Sequence, residues 1–386
     1  MVNSKYKNFL IDNSYPIFLF IFFLVYFSLW LTFNLNTSLI NNNDLDTAIK
    51  IYNYKPYASL FLDKIIFYPS IKIFLGYCFF PALVSVIVFL IFKKILANNL
   101  WALSLAILSI IATENYPFIK FLTSFLNDFE IKNNVNLFEN FEIMGFPIPS
   151  FSTFSFCLIF YLSINNFKFS RSKIYLITFL WLLMPHIHPV DGFIGNFYWV
   201  ILIVILFLQK RIQLEKKDFI ILSILFIINN FILLNQLNFE ILELTESQSI
   251  PKYNLLFYFI LPVILMSLCF KLLKIDLYEF TQKFLNIYLI MLIEIILIFL
   301  SLTGFGFELQ MLENRITMFL LHYLYYVPVI YYLSKDEIFY NNSSNKQTYS
   351  GKIVIILFYV FNKYKSIYLN AFIFLMISYL FLSIKL

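Results

Sequence analysis

Long uncharged, apolar stretches bounded by charged residues follow one another along all of this 386-residue chain, and no other feature limits its fold as strongly. They run over 13–43, 73–92, 95–113, 143–167, 174–190, 192–209, 219–239, 253–270, 284–307, 316–334 and 366–384, with only Glu294 interrupting the ninth. A helix needs about 20 apolar residues to cross a bilayer. Barrel strands would instead show short alternating segments. The pattern predicts an all-α, polytopic membrane helix bundle of about 11 transmembrane spans, forming a single transmembrane domain over 1–386. A further stretch, 353–362, has ten residues between Lys352 and Lys363. It is too short to cross and reads as an interfacial helix.

Composition enters as an exclusion. The chain is 61% hydrophobic and 13% charged, with 50 Phe and 27 Tyr, and its mean hydropathy is +0.80. A soluble domain is roughly half apolar and about a quarter charged, so a soluble enzyme and a disordered chain are both excluded. With 7 Gly, no phosphate-binding glycine loop of the GxGxxG or GxxxxGK[ST] type occurs. Cys78, Cys157 and Cys269 all fall within predicted spans, without disulfide or metal spacing.

Charge then orients the spans. With the N-terminus in the cytoplasm, the segments 5–12, 93–94, 168–173, 210–218, 271–283 and 335–365 face inward. They hold 19 of the 28 basic residues but only 7 of the 22 acids, as the positive-inside rule requires. The first span follows a short basic segment with no small-residue cleavage site after Phe33, so it reads as an uncleaved anchor. The long extramembrane pieces are an outer loop at 35–72 with aromatic surface helices, a second outer loop at 114–150, and the cytoplasmic segment 335–352.

Candidate chemistry concentrates on the outer side. Asp44 and Asp46, two apart after the first span, can point to one site in an extended chain. One could act as a general base, or both could hold a divalent cation; a solvated turn is the plainer reading. Glu114 opens the second outer loop, where it serves as a ligand or marks the water boundary. Pro185–His186–Ile187–His188–Pro189–Val190–Asp191–Gly192 reads as a tight outer turn. Its two imidazoles and Asp191 could bind a phosphate or a metal, or simply make a polar tip. Arg315, at the mouth of the tenth span, could grip a phosphate bidentately or snorkel. Glu294 is the intramembrane charge, costly unless it faces the interior and commonly a mark of function.

The layout resembles the GT-C class of membrane glycosyltransferases. The resemblance rests on the cytoplasmic N-terminus, the Asp44–Leu45–Asp46 motif about eleven residues beyond Phe33, the aromatic 51–72 segment behind it, and Glu114 after the third span. It covers roughly residues 1–200. It implies sugar transfer from a polyprenyl-phosphate-linked donor on the outer face of a bacterial plasma membrane, for a surface polysaccharide or glycoconjugate. Asp44 or Asp46 would be the base, while Arg315, His186 and His188 would neutralise the leaving phosphate. Partners would be membrane lipid and the lipid-linked donor, with no nucleic acid; a divalent cation is the one cofactor suggested. An oligosaccharide polymerase or ligase would share this layout. A transporter or flippase using Glu294 is the competing class, although no internal repeat is evident.

Overall fold

The computed structural model describes residues 2–34, 61–111 except 63, 67 and 97, 150–164, 169–236 except 213, 261–302 except 274, 323–333 and 363–383. The described residues are 91% helical and include no strand. A described helix stands in each of the eleven predicted stretches. Among the described residues, one helix, Ser70–Leu96, is long and apolar enough to cross a membrane by length and composition.

Helix α1 (Val2–Asn34) packs on a continuous rod made of α2 (Pro69–Phe74), a π-helical turn (Leu75–Phe79) and α3 (Phe80–Leu96). Pro69 opens α2, where its missing N–H costs nothing. The rod therefore begins inside the 35–72 segment that the sequence assigned to an outer loop with surface helices, and Lys72 lies within the helix. At the π turn the amide of Phe80 reaches back to the Leu75 carbonyl, and Gly76 and Cys78 are buried there. The next helix, α4 (Asn99–Ile111), is capped by Asn98, whose Oδ1 accepts the Trp101 amide at 3.1 Å. Helix α5 (Ser150–Ser163) lies against α3, so Ser150 belongs to a helix rather than to the second outer loop.

Helices α6 (Arg171–Ile187), α7 (Pro189–Leu208) and α8 (Lys216–Gln236) run up, down and up, with α6 and α7 against α5 and α8 against α6 and α7. The α7–α8 turn is a Schellman motif. The Lys210 amide bonds the Phe207 carbonyl and the Arg211 amide bonds the Leu206 carbonyl, each at 2.9 Å. Lys210 takes the left-handed position, φ 55°, that usually belongs to glycine. Helices α9 (Leu261–Leu273) and α10 (Leu277–Leu302) follow, with α10 against α7. A 3-10 turn (Tyr323–Tyr326) leads into α11 (Val327–Leu333), and α12 (Lys365–Ser383) packs on α4.

The core is aromatic. Phe156, Phe160, Trp181, Tyr198 and Trp199 are buried where α5, α6 and α7 meet, with Trp181 edge-on to Phe156 at 5.3 Å and to Tyr198 at 6.0 Å. The opposite helix faces are apolar too, but exposed. Ile17, Ile21, Val25 and Leu29 recur every fourth residue along α1. Leu176, Phe179 and Leu183 form a similar stripe on α6, as do Ile220, Ile224, Ile227, Ile228 and Phe231 on α8.

Candidate functional site

Two polar centres hold α6, α7 and α8 together, one at each end. At the α6–α7 end the structure alters the predicted turn. Pro185–Ile187 is the last turn of α6, Pro189 opens α7, and His188 is the single residue between them. His188 adopts an extended conformation (φ −148°, ψ 117°), and its Nδ1 accepts the Asp191 amide at 3.3 Å as the N-cap of α7. The same nitrogen lies 3.3 Å from Asp191 Oδ2. Nδ1 can accept from the amide only without a proton and can donate to the carboxylate only with one, so one nitrogen faces two incompatible partners. Both residues are buried, His188 at 4% and Asp191 at 3% exposure. This is a helix cap in the interior, not a polar tip.

Glycine permits the junction. A Cβ at Gly192 would stand 2.3 Å from the backbone of Pro185, and one at Gly195 would stand 1.9 Å from the Trp181 ring. Helices α6 and α7 therefore nearly touch. Below the contact, Trp181 donates its indole N–H to Ser163 Oγ (3.0 Å) and Trp199 donates to Thr178 Oγ1 (2.8 Å). Tyr198 donates to Asn286 Oδ1 at 3.0 Å and ties α7 to α10.

At the other end Asp218, in the first turn of α8 and 1% exposed, gathers three donors. Oδ1 accepts from Arg171 Nη2 at 2.6 Å and from the Tyr175 hydroxyl at 2.7 Å; Oδ2 accepts from the Glu215 amide at 3.1 Å. The last bond is the return half of a capping box. Arg171 also reaches Glu215 at 3.2 Å, and Glu215 pairs with Lys217 at 2.7 Å. Burial pushes the Asp218 carboxyl up, but the bonds from Tyr175, Glu215 and Arg171 outweigh it and hold it below its ordinary value. The guanidinium of Arg171 is raised by its bond to Asp218. Nearby, Lys94 donates to the Tyr161 carbonyl at 3.0 Å and lies 4.6 Å over that ring. Burial and the neighbouring charge of Lys173 lower it to about 8.

Of the residues singled out in the sequence, His188 and Asp191 are brought together, and His186 stands half-exposed in the last turn of α6. Asp44, Asp46, Glu114 and Arg315 lie outside the described residues, as do 353–362 and 335–352. Glu294 falls within α10. Among the described residues no group of three or more His, Cys, Asp and Glu could hold a metal. Sequence reading missed the Asp218 cluster, because counting charges for topology treats Arg171, Glu215 and Asp218 only as markers of a side. An acid in the first turn of α8 opposite an arginine opening α6 was the available signal. No family model, no curated protein and no solved structure matches this chain.

Proposed function

We propose that the chain is a polytopic membrane protein that transfers a sugar from a polyprenyl-phosphate-linked donor to an acceptor at the outer membrane face. The observation that carries the membrane part is the exposed apolar stripe on α1, α6 and α8. Water would penalise such contiguous faces, whereas lipid accepts them. The basic residues Lys93, Lys94, Arg171, Lys173, Lys210, Arg211, Lys216 and Lys217 gather at the end where α3 and α7 finish and α6 and α8 begin, the cytoplasmic end under the positive-inside rule. The His188–Asp191 junction then lies at the outer end. Under the same alternation of helix direction α1 ends on the outer side, and Asp44 and Asp46 follow it in the chain.

Glycosyl transfer needs a base on the acceptor hydroxyl and a stabilised leaving phosphate. Asp44 or Asp46 supplies the base. Glu114 serves the acceptor side, and Arg315 with His186, the more exposed imidazole, meets the phosphate. His188 is a positioning residue that caps α7, with Asp191 beside it. Sugar transfer by the protein in proteoliposomes, supplied with a polyprenyl-phosphate-linked sugar, tests this reading. Asp44→Asn/Asp46→Asn should lower product formation by about 100-fold or more, the usual worth of general acid–base catalysis; an unchanged rate rejects it. Transport is the second reading. It is favoured by the position of Glu294 inside the predicted ninth span, within α10. Under that reading Glu294→Gln abolishes activity and the aspartate variants are silent.

A further inference from the structure

The seam between α6, α7 and α8 holds two asparagines that the transfer reading leaves unused. Asn196 on α7 is 0% exposed, and among the described residues neither its Nδ2 nor its Oδ1 has a hydrogen-bond partner. Asn229 on α8 is half-buried, and its Nδ2 is buried with no partner among the described residues. Native proteins tolerate few such groups, because each forfeits its bonds to water without replacement. The nearby polar side chains are engaged elsewhere: Trp181 with Ser163, Trp199 with Thr178, and Tyr198 with Asn286.

Helix geometry places the two asparagines at one level. Phe207 and Phe219 stack at 4.9 Å and fix the level at which antiparallel α7 and α8 meet. Asn196 lies eleven positions before Phe207 and Asn229 ten positions after Phe219. At 1.5 Å per residue both lie about 15–17 Å from that stack, at nearly the same level. Both also belong to inward faces. On α8, Asp218, Leu222 and Phe226 are buried at intervals of four, and Asn229 continues that stripe three residues on. On α7, Asn196 lies eleven residues, about three turns, before Phe207, on the same stripe that meets α8.

The unpaired atoms are two amide donors and one carbonyl acceptor, with no net charge. A phosphate or carboxylate offers only acceptors and would repel Asn196 Oδ1, while a metal cation would be repelled by the two NH2 groups. A hydroxyl accepts and donates at once, and adjacent hydroxyls match a pair of carboxamides. We propose that Asn196 and Asn229 form a binding site for a neutral, hydroxyl-bearing group, a sugar ring, between α7 and α8. The site rests on the unpaired atoms; that its ligand is a sugar rests on the transfer reading.

The test uses the full chain in lipid nanodiscs free of glycoside detergent, with methyl α-glucoside, methyl β-galactoside and N-acetylglucosamine as probes. The readouts are tryptophan fluorescence, since the Trp181 ring lies against the residue beside Asn196, and thermal melting. At least one probe should give a saturable change that weakens about tenfold or more in Asn196→Leu and in Asn229→Leu. Without probe, Asn196→Leu should melt about 2 °C above wild type, because an orphaned amide has been removed. A lower melting temperature for Asn196→Leu would show the carboxamide satisfied in the fold and would overturn the site. No response from any probe, or equal responses in wild type and both variants, overturns the sugar ligand. The Asp44→Asn/Asp46→Asn variant separates the two proposals. It should lose transfer and keep probe binding, so transfer that survives in it sinks the catalytic reading alone.

Discussion

The two ends of the α6–α7–α8 unit solve the same problem by different physics. Each end buries a carboxylate, Asp218 at one and Asp191 at the other. Asp218 is held by charge and donors: a guanidinium, a hydroxyl and an amide converge on its two oxygens. Asp191 faces an imidazole nitrogen that its own backbone amide also claims. There the helices are fixed by shape, with Gly192 against the proline backbone and Gly195 against an indole. An electrostatic join responds to pH and to loss of one partner. A steric join ignores both and fails when a single carbon is added.

Gly192→Ala puts that contrast at greatest risk and should give the largest loss. Its Cβ would lie 2.3 Å from Pro185 N and Cα. A backbone cannot swing aside as a side chain can, and overpacking of this kind costs about 3 kcal/mol or more. Little monodisperse protein should be recovered, and what survives should melt well below wild type. Gly195→Ala should be milder, since the obstacle is the Trp181 ring, although that ring is buried and tied to Ser163. If Gly192→Ala melts with wild type, shape does not govern the α6–α7 end and the comparison fails there.

Asp218→Asn comes next and attacks the electrostatic end. It removes the charge that Arg171 neutralises and weakens the bonds from Tyr175 and the Glu215 amide. Melting at neutral pH should fall by several degrees. Because the folded carboxyl titrates below its ordinary value, its contribution is complete above the unfolded carboxylate pKa of about 3.9. It is lost as pH falls through the lower folded value. The wild-type minus variant difference in melting temperature should therefore be constant from neutral pH down to about 4 and shrink below it. A difference that is flat into strong acid would remove Asp218 from the electrostatic column.

Helix positions were legible in the sequence because uncharged run length reports them directly. Each predicted stretch contains a described helix, and the corrections are local. Pro69 starts a helix within the segment read as an outer loop with surface helices, since proline suits a first turn, and that helix runs on into the next span. The eight-residue turn collapses to His188, because Pro185 is tolerated within α6 and Pro189 begins α7. Hydrophobic runs carry no record of which polar group meets which. Arg171 and Asp218 lie 47 positions apart, and their pairing depends on the hairpin geometry of α6–α8. The closeness of Gly192 to Pro185 is equally invisible, since a glycine in a helical run gives no sign of what it faces. Two imidazoles and a carboxylate in six residues did point to a special place. Their burial and the capping role of His188 follow only from where α7 begins.

The smallest effect belongs to His188, and it separates capping from pairing at the steric end. His188→Ala removes the acceptor for the Asp191 amide, a loss of about 1 kcal/mol typical of an N-cap. His188→Asn restores a short acceptor that suits this position but carries no positive charge to pair with a carboxylate. If Nδ1 serves as the cap, the asparagine variant should regain most of what the alanine variant loses. Asp191→Asn should then be nearly neutral, because the amide, not the carboxylate, is the partner. If the ion pair dominates instead, asparagine fails to rescue and Asp191→Asn is as harmful as His188→Ala. Thermal melts of the three variants decide between these outcomes. The second outcome would make both ends of the unit electrostatic, leaving the glycine contacts as the difference between them.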